Sequence, residues 1–267
     1  MKAIVLGAGR GSRLKALTDE QPKPYAPVGD RRILDWLLEA LAEAGIDETV
    51  FVGGYRADLV EKDYPQLSFR HNPDWADTNI LASLMCAEDC MDDEFVVTYA
   101  DILYRPEVVR RAIDHPADRV LCVDTEWRSR YADRSQHPED DAEKVVAEGD
   151  RILCVDRSTE STDAQGEYIG VARFSSAGAQ SLRAAYHEAR QRLAGAEWRG
   201  GALFRKAYLI HLYQEMLEAG LSFHMVTTDG QYMEVDTEED FALANRRWPA
   251  QYGDLTRPAN LLLCASK

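Results

Sequence analysis

The first twenty-five residues constrain the fold of this chain more than any other stretch. Residues 3–6 (Ala-Ile-Val-Leu) form a short apolar, β-branched run, which is typical of a buried strand in a parallel sheet. The run leads into a loop, residues 7–13, whose three glycines allow backbone N–H groups to approach an anion without obstruction by Cβ atoms. Arg13 and Lys23 add positive charge, and prolines on both sides stiffen the backbone around Lys23. This stretch therefore predicts a loop that binds phosphate groups.

Two common phosphate-binding motifs do not fit this loop. A P-loop requires Lys followed by Ser or Thr after its second glycine, and no Lys follows Gly11. A dinucleotide-binding fingerprint requires a third glycine that opens a helix at once. Here Ser12 occupies that position, and the next helical pattern begins near Arg31. An ordinary glycine-rich turn is the simple alternative to a phosphate site of another class.

The stretch resembles the signature of the nucleotidyltransferases that activate sugar phosphates and phosphocholine. In that family a strand is followed by L-x-A-G-x-G-[ST]-R-L and then by a lysine next to proline. The matching positions here are Leu6, Ala8, Gly9, Gly11, Ser12, Arg13, Leu14, Pro22, Lys23 and Pro24. The resemblance implies a nucleotide-diphospho-sugar transferase-like fold with a nucleotide bound at the glycine loop.

Composition and charge exclude several classes of partner. The chain has 267 residues, of which 45% are hydrophobic, and 31 basic against 46 acidic residues give a net charge of −15. Such a surface repels nucleic acid and anionic lipid, so we expect neither as a partner. We expect a cytoplasmic protein, because Met1 opens directly into a strand and no apolar run approaches the length of a membrane span. The five scattered cysteines are expected to be reduced thiols.

Strand and helix patterns alternate along the chain. Helices are predicted at 33–44, 78–91, 177–193, 206–219 and 237–247, and strands at 3–6, 49–52, 67–70, 95–99, 119–124, 168–174, 222–227 and 232–235, with a hairpin at 143–147 and 152–156. This order predicts a single Rossmann-like, doubly wound, mostly parallel α/β sheet with a small inserted β lobe on the substrate side. We predict a nucleotidyltransferase domain at 1–247 and a C-terminal tail at 248–267. The polar stretch 125–141 is expected to be a surface excursion.

Two acidic elements are candidate metal ligands. Asp101 follows the predicted strand 95–99, at the sheet edge where ligands bind in such folds, and Asp236 lies in the late sequence Glu-Val-Asp-Thr. A lone carboxylate at a strand end is often only a helix cap or turn residue. The resemblance implies instead that Asp101 and Asp236 hold Mg²⁺ against the nucleotide phosphates, and two hard carboxylates suit that ion.

Later stretches match the phosphocholine-type branch of the family. Glu167-Tyr168-Ile169-Gly170 corresponds to a strand of that branch, Asn79 to its T-x-N or T-N motif, and Lys144 to a lysine near the acceptor phosphate. A solvated lysine on a hairpin is the alternative for Lys144. One position departs from the pattern, because His211 stands where many relatives have Asp. That departure leaves the acceptor specificity undetermined.

The resemblance and the sheet geometry together define two candidate binding sets. The nucleotide-binding set is Leu6, Ala8, Gly9, Gly11, Ser12, Gly53, Gly54, Asn79 and Ala100. The acceptor-binding set is Glu167, Tyr168, Tyr208 and Tyr232, in which the rings would hold a choline or amine head by cation–π contact. The alternative is that these aromatic residues belong to the core or the surface.

The implied chemistry requires charge neutralisation and no general base, because a phosphate or phosphonate acceptor is already anionic at pH 7. Lys23, Arg13, Mg²⁺ and the glycine amides would neutralise the α-phosphate and the leaving pyrophosphate, while Lys144 holds the acceptor. We predict a cytidylyltransferase that transfers CMP from CTP to phosphocholine, 2-aminoethylphosphonate or a similar acceptor. The alternatives are a sugar-1-phosphate nucleotidyltransferase using UTP, dTTP or GTP, a silent nucleotide-sensing protein and an NAD-dependent oxidoreductase. The sequence leaves a homodimer open.

Overall fold

The fold is given by a computed structural model, which describes residues 1–132, 134–136, 138–193, 195–201 and 203–252. The helices are α1 (Ile33–Glu43), α2 (Ala57–Asp63), α3 (Ile80–Met85), α4 (Pro106–Asp114), α5 (Trp127–Tyr131), α6 (Ser176–Leu193), α7 (Leu209–Glu218) and α8 (Glu238–Tyr252). The strands are β1 (Lys2–Gly7), β2 (Pro27–Val28), β3 (Arg31–Arg32), β4 (Glu48–Gly53), β5 (Ser68–His71), β6 (Phe95–Tyr99), β7 (Ile102–Tyr104), β8 (Arg119–Asp124), β9 (Lys144–Glu148), β10 (Arg151–Val155), β11 (Gly166–Phe174), β12 (Phe223–Thr228) and β13 (Tyr232–Glu234).

Within these ranges, nine strands form one sheet in the order β5-β4-β1-β6-β11-β8-β12-β10-β9. Strands β5, β4, β1 and β6 pair in parallel, as do β8 and β12. Strand β11 runs antiparallel to β6 and β8, so the sheet is mixed where a mostly parallel one was predicted. The predicted hairpin is present as β9 and β10, and it extends the edge of this sheet instead of forming a separate lobe.

Both faces of the sheet are covered by helices, which confirms the predicted doubly wound α/β fold. The alternation of strand side chains creates the two faces: in β1, Ile4 packs with α3, α6 and α7, whereas Val5 packs with α1, α2 and α4. The apolar run of β1 is buried on both sides because it lies in the middle of the sheet. The carboxyl ends of β1 and β6 therefore meet at one edge, where the glycine loop begins.

A third cluster of buried apolar residues packs together segments that are far apart in the sequence. It contains Leu14 from the glycine-loop segment, Leu103 from β7, Val235 after β13 and Trp248 from α8. Strands β7 and β13 pair antiparallel, with Glu234 opposite Ile102. This pairing places the segment after β6 and the segment after β13 side by side.

The predicted surface excursion, 125–141, is wrong for part of its length. It contains α5, and Trp127, Arg130, Tyr131 and Arg134 are all buried. Its polar composition is misleading because the two arginines form ion pairs inside the protein, Arg130 with Asp124 and Glu167, and Arg134 with Asp240. Charged side chains are buried when such partners are available.

Other differences concern element ends. The predicted helix at 78–91 is shorter, because the Asn79 side chain caps α3 by accepting a hydrogen bond from the N–H of Ile80, and α3 ends at Met85. Helix α8 continues to Tyr252, beyond the predicted domain end at 247. The division at 247 stays a prediction, and residues 253–267 of the predicted tail, with Cys264, lie outside the described residues. The other four cysteines are free thiols. Among the described helices, none has the length and apolar character needed to cross a bilayer.

Gly170 tests the packing of the central strand β11. Its φ is +80°, and a Cβ atom there would meet the ring of Tyr99. Gly170→Ala should lower the free energy of unfolding by about 2–5 kcal/mol, from left-handed strain and overpacking together. Gly149→Ala is the matched control, because its φ is +61° but no atom lies within 4 Å of the added Cβ. It should cost only about 1–2 kcal/mol in the same denaturant titration. Equal losses in the two variants would contradict this packing.

Candidate active site

A cavity of about 290 Å³ opens at the carboxyl ends of β1 and β6. Its wall combines the glycine loop, the lysine segment, the start of α3 and the two candidate metal ligands. The lining residues are Leu6, Gly7, Ala8, Gly9, Gly11, Ser12, Arg13, Lys23, Pro24, Trp75, Thr78, Asn79, Ile80, Ser83, Ala100, Asp101 and Asp236. Eleven of the predicted site residues thus share one cavity, as the position of the loop at a sheet edge predicts.

Lys23 lies at the centre of the charged wall. It begins a short 3₁₀ turn, 23–25, after Pro22, and its side chain is only 8% exposed. The Nζ atom donates hydrogen bonds to Asp101 Oδ2 at 2.6 Å and to Asp236 Oδ1. One ammonium group therefore bridges two carboxylates that are remote from each other in sequence.

The two carboxylates keep the ammonium charged. Burial alone would lower the pKa of Lys23, but the charges of Asp101 and Asp236, together with the hydrogen bonds to both, outweigh it and raise this pKa above its ordinary value. Lys23 is therefore a permanent cation at physiological pH, suited to stabilising phosphate oxygens.

The left-handed backbone of Gly11 brings the loop against the stem of Lys23. Gly11 has a φ of +69°, and a Cβ atom at this position would lie 2.7 Å from Lys23 Cδ. Only glycine combines this φ with so close an approach. The loop and the lysine are thus one packed unit.

Arg13 provides a second cation at the mouth of the cleft. Its guanidinium contacts Asp236 Oδ2 through one nitrogen and Asp141 Oδ2 at 3.2 Å through another. The side chain is 51% exposed, so it lies between the buried carboxylate and solvent. This position lets Arg13 contact an anion that enters the cavity.

Asp101 fits a divalent cation. It follows β6, its backbone carbonyl accepts a hydrogen bond from the N–H of Val235, and its Oδ2 binds Lys23. Its Oδ1 is buried and has no hydrogen-bond partner among the described residues. A buried carboxylate oxygen without a donor is a suitable ligand for a hard ion such as Mg²⁺. Asp101 and Asp236 would hold such an ion, in agreement with the role that the sequence resemblance implies for them.

Asp236 is positioned by a buried carboxylate whose role the sequence did not reveal. Asp240 Oδ2 accepts hydrogen bonds from the backbone N–H groups of Asp236, at 3.2 Å, and Thr237, at 2.9 Å. Arg134 Nε lies 2.9 Å from the other oxygen, Oδ1, and both side chains are at most 1% exposed. Neither Thr237 nor Asp240 was among the predicted site residues, and the sequence indicated only a helix at 237–247. The burial of Arg134 had no signal in the local sequence.

Side-chain hydrogen bonds fix the end of the cavity where we predict the nucleotide base to bind. Asn79 Nδ2 donates to the carbonyl of Lys206 at 3.2 Å. Asn72, which is buried, donates to Thr78 Oγ1 at 2.9 Å and to Ser83 Oγ at 3.0 Å. Thr78 and Ser83 both line the cavity, so Asn72 fixes this wall from behind. Asn72 was not among the predicted site residues.

Gly53 and Gly54 lie behind the glycine loop. A Cβ atom on Gly54 would be 2.7 Å from the carbonyl oxygen of Ala8 and from Trp75 Cβ. The Ala8 carbonyl accepts a hydrogen bond from the N–H of Tyr55, and the Gly53 carbonyl accepts one from that of Asn72. Their role in reading a base stays a prediction.

The predicted acceptor residues lie outside the cavity wall as far as the described residues define it. Lys144 is buried, and its Nζ donates to the carbonyl of Arg157 at 2.7 Å. Glu167 accepts hydrogen bonds from Tyr131, at 2.6 Å, and Arg130. These contacts show that both charged groups are already paired within the fold, and their part in acceptor binding stays a prediction.

The predicted acceptor tyrosines are mostly core residues. Tyr168 packs edge-on against Tyr99 and Tyr213. Tyr232 is buried beneath the Arg130 guanidinium, 4.7 Å from its ring centre. Tyr208 is only partly buried and lies beneath the guanidinium of Arg157, 4.0 Å away.

Two glutamates near these rings have raised pKa values: Glu143, which directly precedes β9, and Glu234, which lies in the Glu-Val-Asp-Thr sequence that contains Asp236. Burial, followed by the charges of Asp236, Glu167 and Asp101, raises the pKa of Glu234 well above its ordinary value. Burial also raises the pKa of Glu143, although Arg157 opposes it. Burial is the largest cause of both shifts, so both carboxyl groups are shifted toward their neutral form.

Comparisons with known proteins find one matching family model and several similar proteins. The family model for the MobA-like NTP transferase domain matches residues 3–221. A CTP:phosphoglutamine cytidylyltransferase of Campylobacter jejuni is 36% identical over 123 residues, which are 43% of this chain and 49% of that protein. A CMP-5'-(3-aminopropyl)phosphonate synthase of Streptomyces rubellomurinus is 34% identical over 122 residues, 43% of this chain and 19% of that protein. The matched region spans about half or less of these relatives. Sugar-phosphate nucleotidyltransferases are also similar.

The same fold occurs in a solved structure. The inositol-1-phosphate CTP transferase of T. maritima superposes with a TM-score of 0.70 at 18% identity, covering 92% of this chain and 95% of that chain. The fold of this chain is therefore that of the nucleotide-diphospho-sugar transferases.

The contact between Gly11 and Lys23 can be tested with a pair of glycine variants. Gly11→Ala should lower the free energy of unfolding by about 2–4 kcal/mol, because the added Cβ strains the loop and displaces Lys23. Gly9→Ala is the control, since nothing lies within 4 Å of its added Cβ. It should change stability by less than about 0.5 kcal/mol. Denaturant titrations that give the parent's midpoint for both variants would contradict the packing of Lys23 on Gly11.

Proposed function

We propose, on the premise that this chain belongs to the MobA-like NTP transferase family, that it transfers CMP from CTP to a small phosphate or phosphonate acceptor and releases pyrophosphate. The observation that carries the proposal is the buried Lys23 ammonium, which two carboxylates hold at the glycine loop. This arrangement concentrates cationic and backbone N–H groups at one cavity of a strongly acidic protein. A triphosphate is the ligand that such a wall suits.

The proposed reaction requires neutralisation of negative charge and orientation of the phosphates, and it requires no general base. An oxygen of the acceptor phosphate attacks the α-phosphorus of CTP, the bond from that phosphorus to the bridging oxygen breaks, and pyrophosphate leaves. The acceptor oxygen carries no proton at neutral pH, so no residue need act as a base. Lys23 and Arg13 stabilise negative charge on the phosphates, and the loop amides orient them. A divalent cation held by Asp101 and Asp236 would supply further charge neutralisation.

An amine-bearing acceptor is favoured by the names of two relatives. One is named a CTP:phosphoglutamine cytidylyltransferase, and the other is named a synthase of CMP-5'-(3-aminopropyl)phosphonate. In this chain Tyr208 is only partly buried, so among the predicted tyrosines its ring is the one best placed for cation–π contact with an ammonium group. Phosphocholine and 2-aminoethylphosphonate are the leading candidates, with Lys144 and Tyr208 as proposed acceptor contacts.

Pyrophosphate release tests the proposal. It should be fastest with CTP in Mg²⁺ when CTP, UTP, GTP and dTTP are each paired with phosphocholine, 2-aminoethylphosphonate and glucose-1-phosphate. Chelation of the metal should abolish it. Lys23→Ala should lose about 10²–10³ in rate, the scale seen when one preorganised charge-stabilising group is removed. Faster turnover of UTP or GTP with the sugar phosphate would replace this function by sugar-1-phosphate nucleotidyl transfer.

A further inference from the structure

Two histidines and one aspartate meet at the edge of the sheet opposite the cleft. His115 follows α4, Asp150 lies in the turn between β9 and β10, and His224 is near the amino end of β12. Strand β12 runs parallel to β8, and His224 pairs with Val120 near the amino end of β8. The cleft lies at the carboxyl ends, so this group of three is separate from it.

The three side chains converge on one point. His115 Nε2 and His224 Nδ1 each lie 3.2 Å from the same atom, Asp150 Oδ2. The ring centres are 5.5 Å apart. In a tetrahedral zinc site, bonds of about 2.0–2.2 Å place neighbouring ligand atoms about 3.3–3.5 Å apart. The two His–Asp separations are close to that spacing, and all three ligand atoms lie within 4.8 Å of one another. Among the described residues it is the one group of three or more His, Cys, Asp or Glu side chains with such convergence.

We propose that His115, Asp150 and His224 form a binding site for a late first-row divalent cation, with Zn²⁺ as the representative ion. Two imidazoles and one carboxylate favour Zn²⁺ over Mg²⁺, which prefers oxygen ligands only. Asp150 is 58% exposed, and a groove of about 630 Å³ lined by His115 and Asp150 adjoins the cluster. Water can therefore complete the coordination of the ion.

The protonation states of the ligands set the affinity. Hydrogen bonds from His224 and His115 lower the pKa of Asp150, so this ligand is anionic at neutral pH. His115 Nδ1 accepts a hydrogen bond from the N–H of Ala117 at 3.2 Å, which places the proton of the neutral ring on Nε2. Metal binding at Nε2 must move that proton and give up this bond, which reduces affinity by about tenfold at most. We therefore expect weaker binding than in a site whose imidazoles already have the metal-binding tautomer.

Bound Zn²⁺ would connect three elements that are distant in sequence: the end of α4, the β9–β10 turn and β12. An ion that binds these ligands only in the folded chain stabilises that state by mass action. The site thus predicts a rise in Tm with Zn²⁺ that does not depend on catalysis.

The experiment titrates Zn²⁺ into the metal-stripped full chain, with excess Mg²⁺ present to occupy the cleft, by calorimetry and by thermal unfolding. One bound Zn²⁺ per chain and a raised Tm are expected for the parent. His115→Ala, His224→Ala and Asp150→Asn should each weaken binding at least tenfold and remove the rise in Tm. His71→Ala is the control, since His71 is 55% exposed and has one carboxylate partner, Glu61, at 2.7 Å.

Two further measurements distinguish a metal-binding site from three side chains that only form hydrogen bonds with one another. Thermal unfolding in chelator should show that all four variants are folded, because Asp150 and His71 are exposed and the side chains of His115 and His224 are only partly buried, at 17% and 28% exposure. Co²⁺ in place of Zn²⁺ should give the visible absorption of a four-coordinate ion in the parent and in His71→Ala, and lose it in the cluster variants. Zn²⁺ affinity and Co²⁺ absorption that are unchanged in the cluster variants would overturn the proposal.

Discussion

The cleft depends on the ion pairs between the Lys23 ammonium and two carboxylates, those of Asp101 and Asp236. These two aspartates are far apart in sequence. Placing two carboxylates side by side in a partly buried site is costly unless a cation lies between them. Lys23 occupies that position, with the glycine loop packed on its stem. A nucleotide and its metal require positive and negative groups that lie close together. The wall of this cavity contains both kinds of group.

Strand pairing brings the two carboxylates together, and the buried ion pair between Arg134 and Asp240 positions the Asp236 segment. Pairing of β7 with β13 brings the segments carrying the two carboxylates together. Behind them Arg134 binds Asp240, whose other oxygen accepts two backbone hydrogen bonds from the Asp236 segment. The segment that contains Arg134 is thus joined to the cleft, so changes in that segment should be felt at Asp236 without touching a ligand.

Much of the fold could be predicted because its strands carry local signals. Strands 95–99 and 119–124 were predicted with their observed ends, since buried parallel strands are continuous apolar runs. The glycine loop and Lys23 were equally visible, because their chemistry follows from residue type and spacing. The burial of Arg130 and Arg134 was missed, because their partners are remote in sequence and a polar stretch alone indicates solvent. Of the predicted acceptor tyrosines, Tyr168 and Tyr232 are buried in the core and Tyr208 is partly exposed, and their part in acceptor binding stays a prediction.

The most direct test of the account is turnover as a function of Mg²⁺ concentration for Asp101→Asn, Asp236→Asn and the double variant. If both carboxylates act on one ion, each single change should remove most of the activity and the double change little more, because residues that act as a unit are not additive. Asp92→Asn, an exposed carboxylate that pairs with Lys2, should keep the parent's rate. Independent, multiplicative losses, or an Asp236→Asn variant as active as the parent, would contradict the shared site.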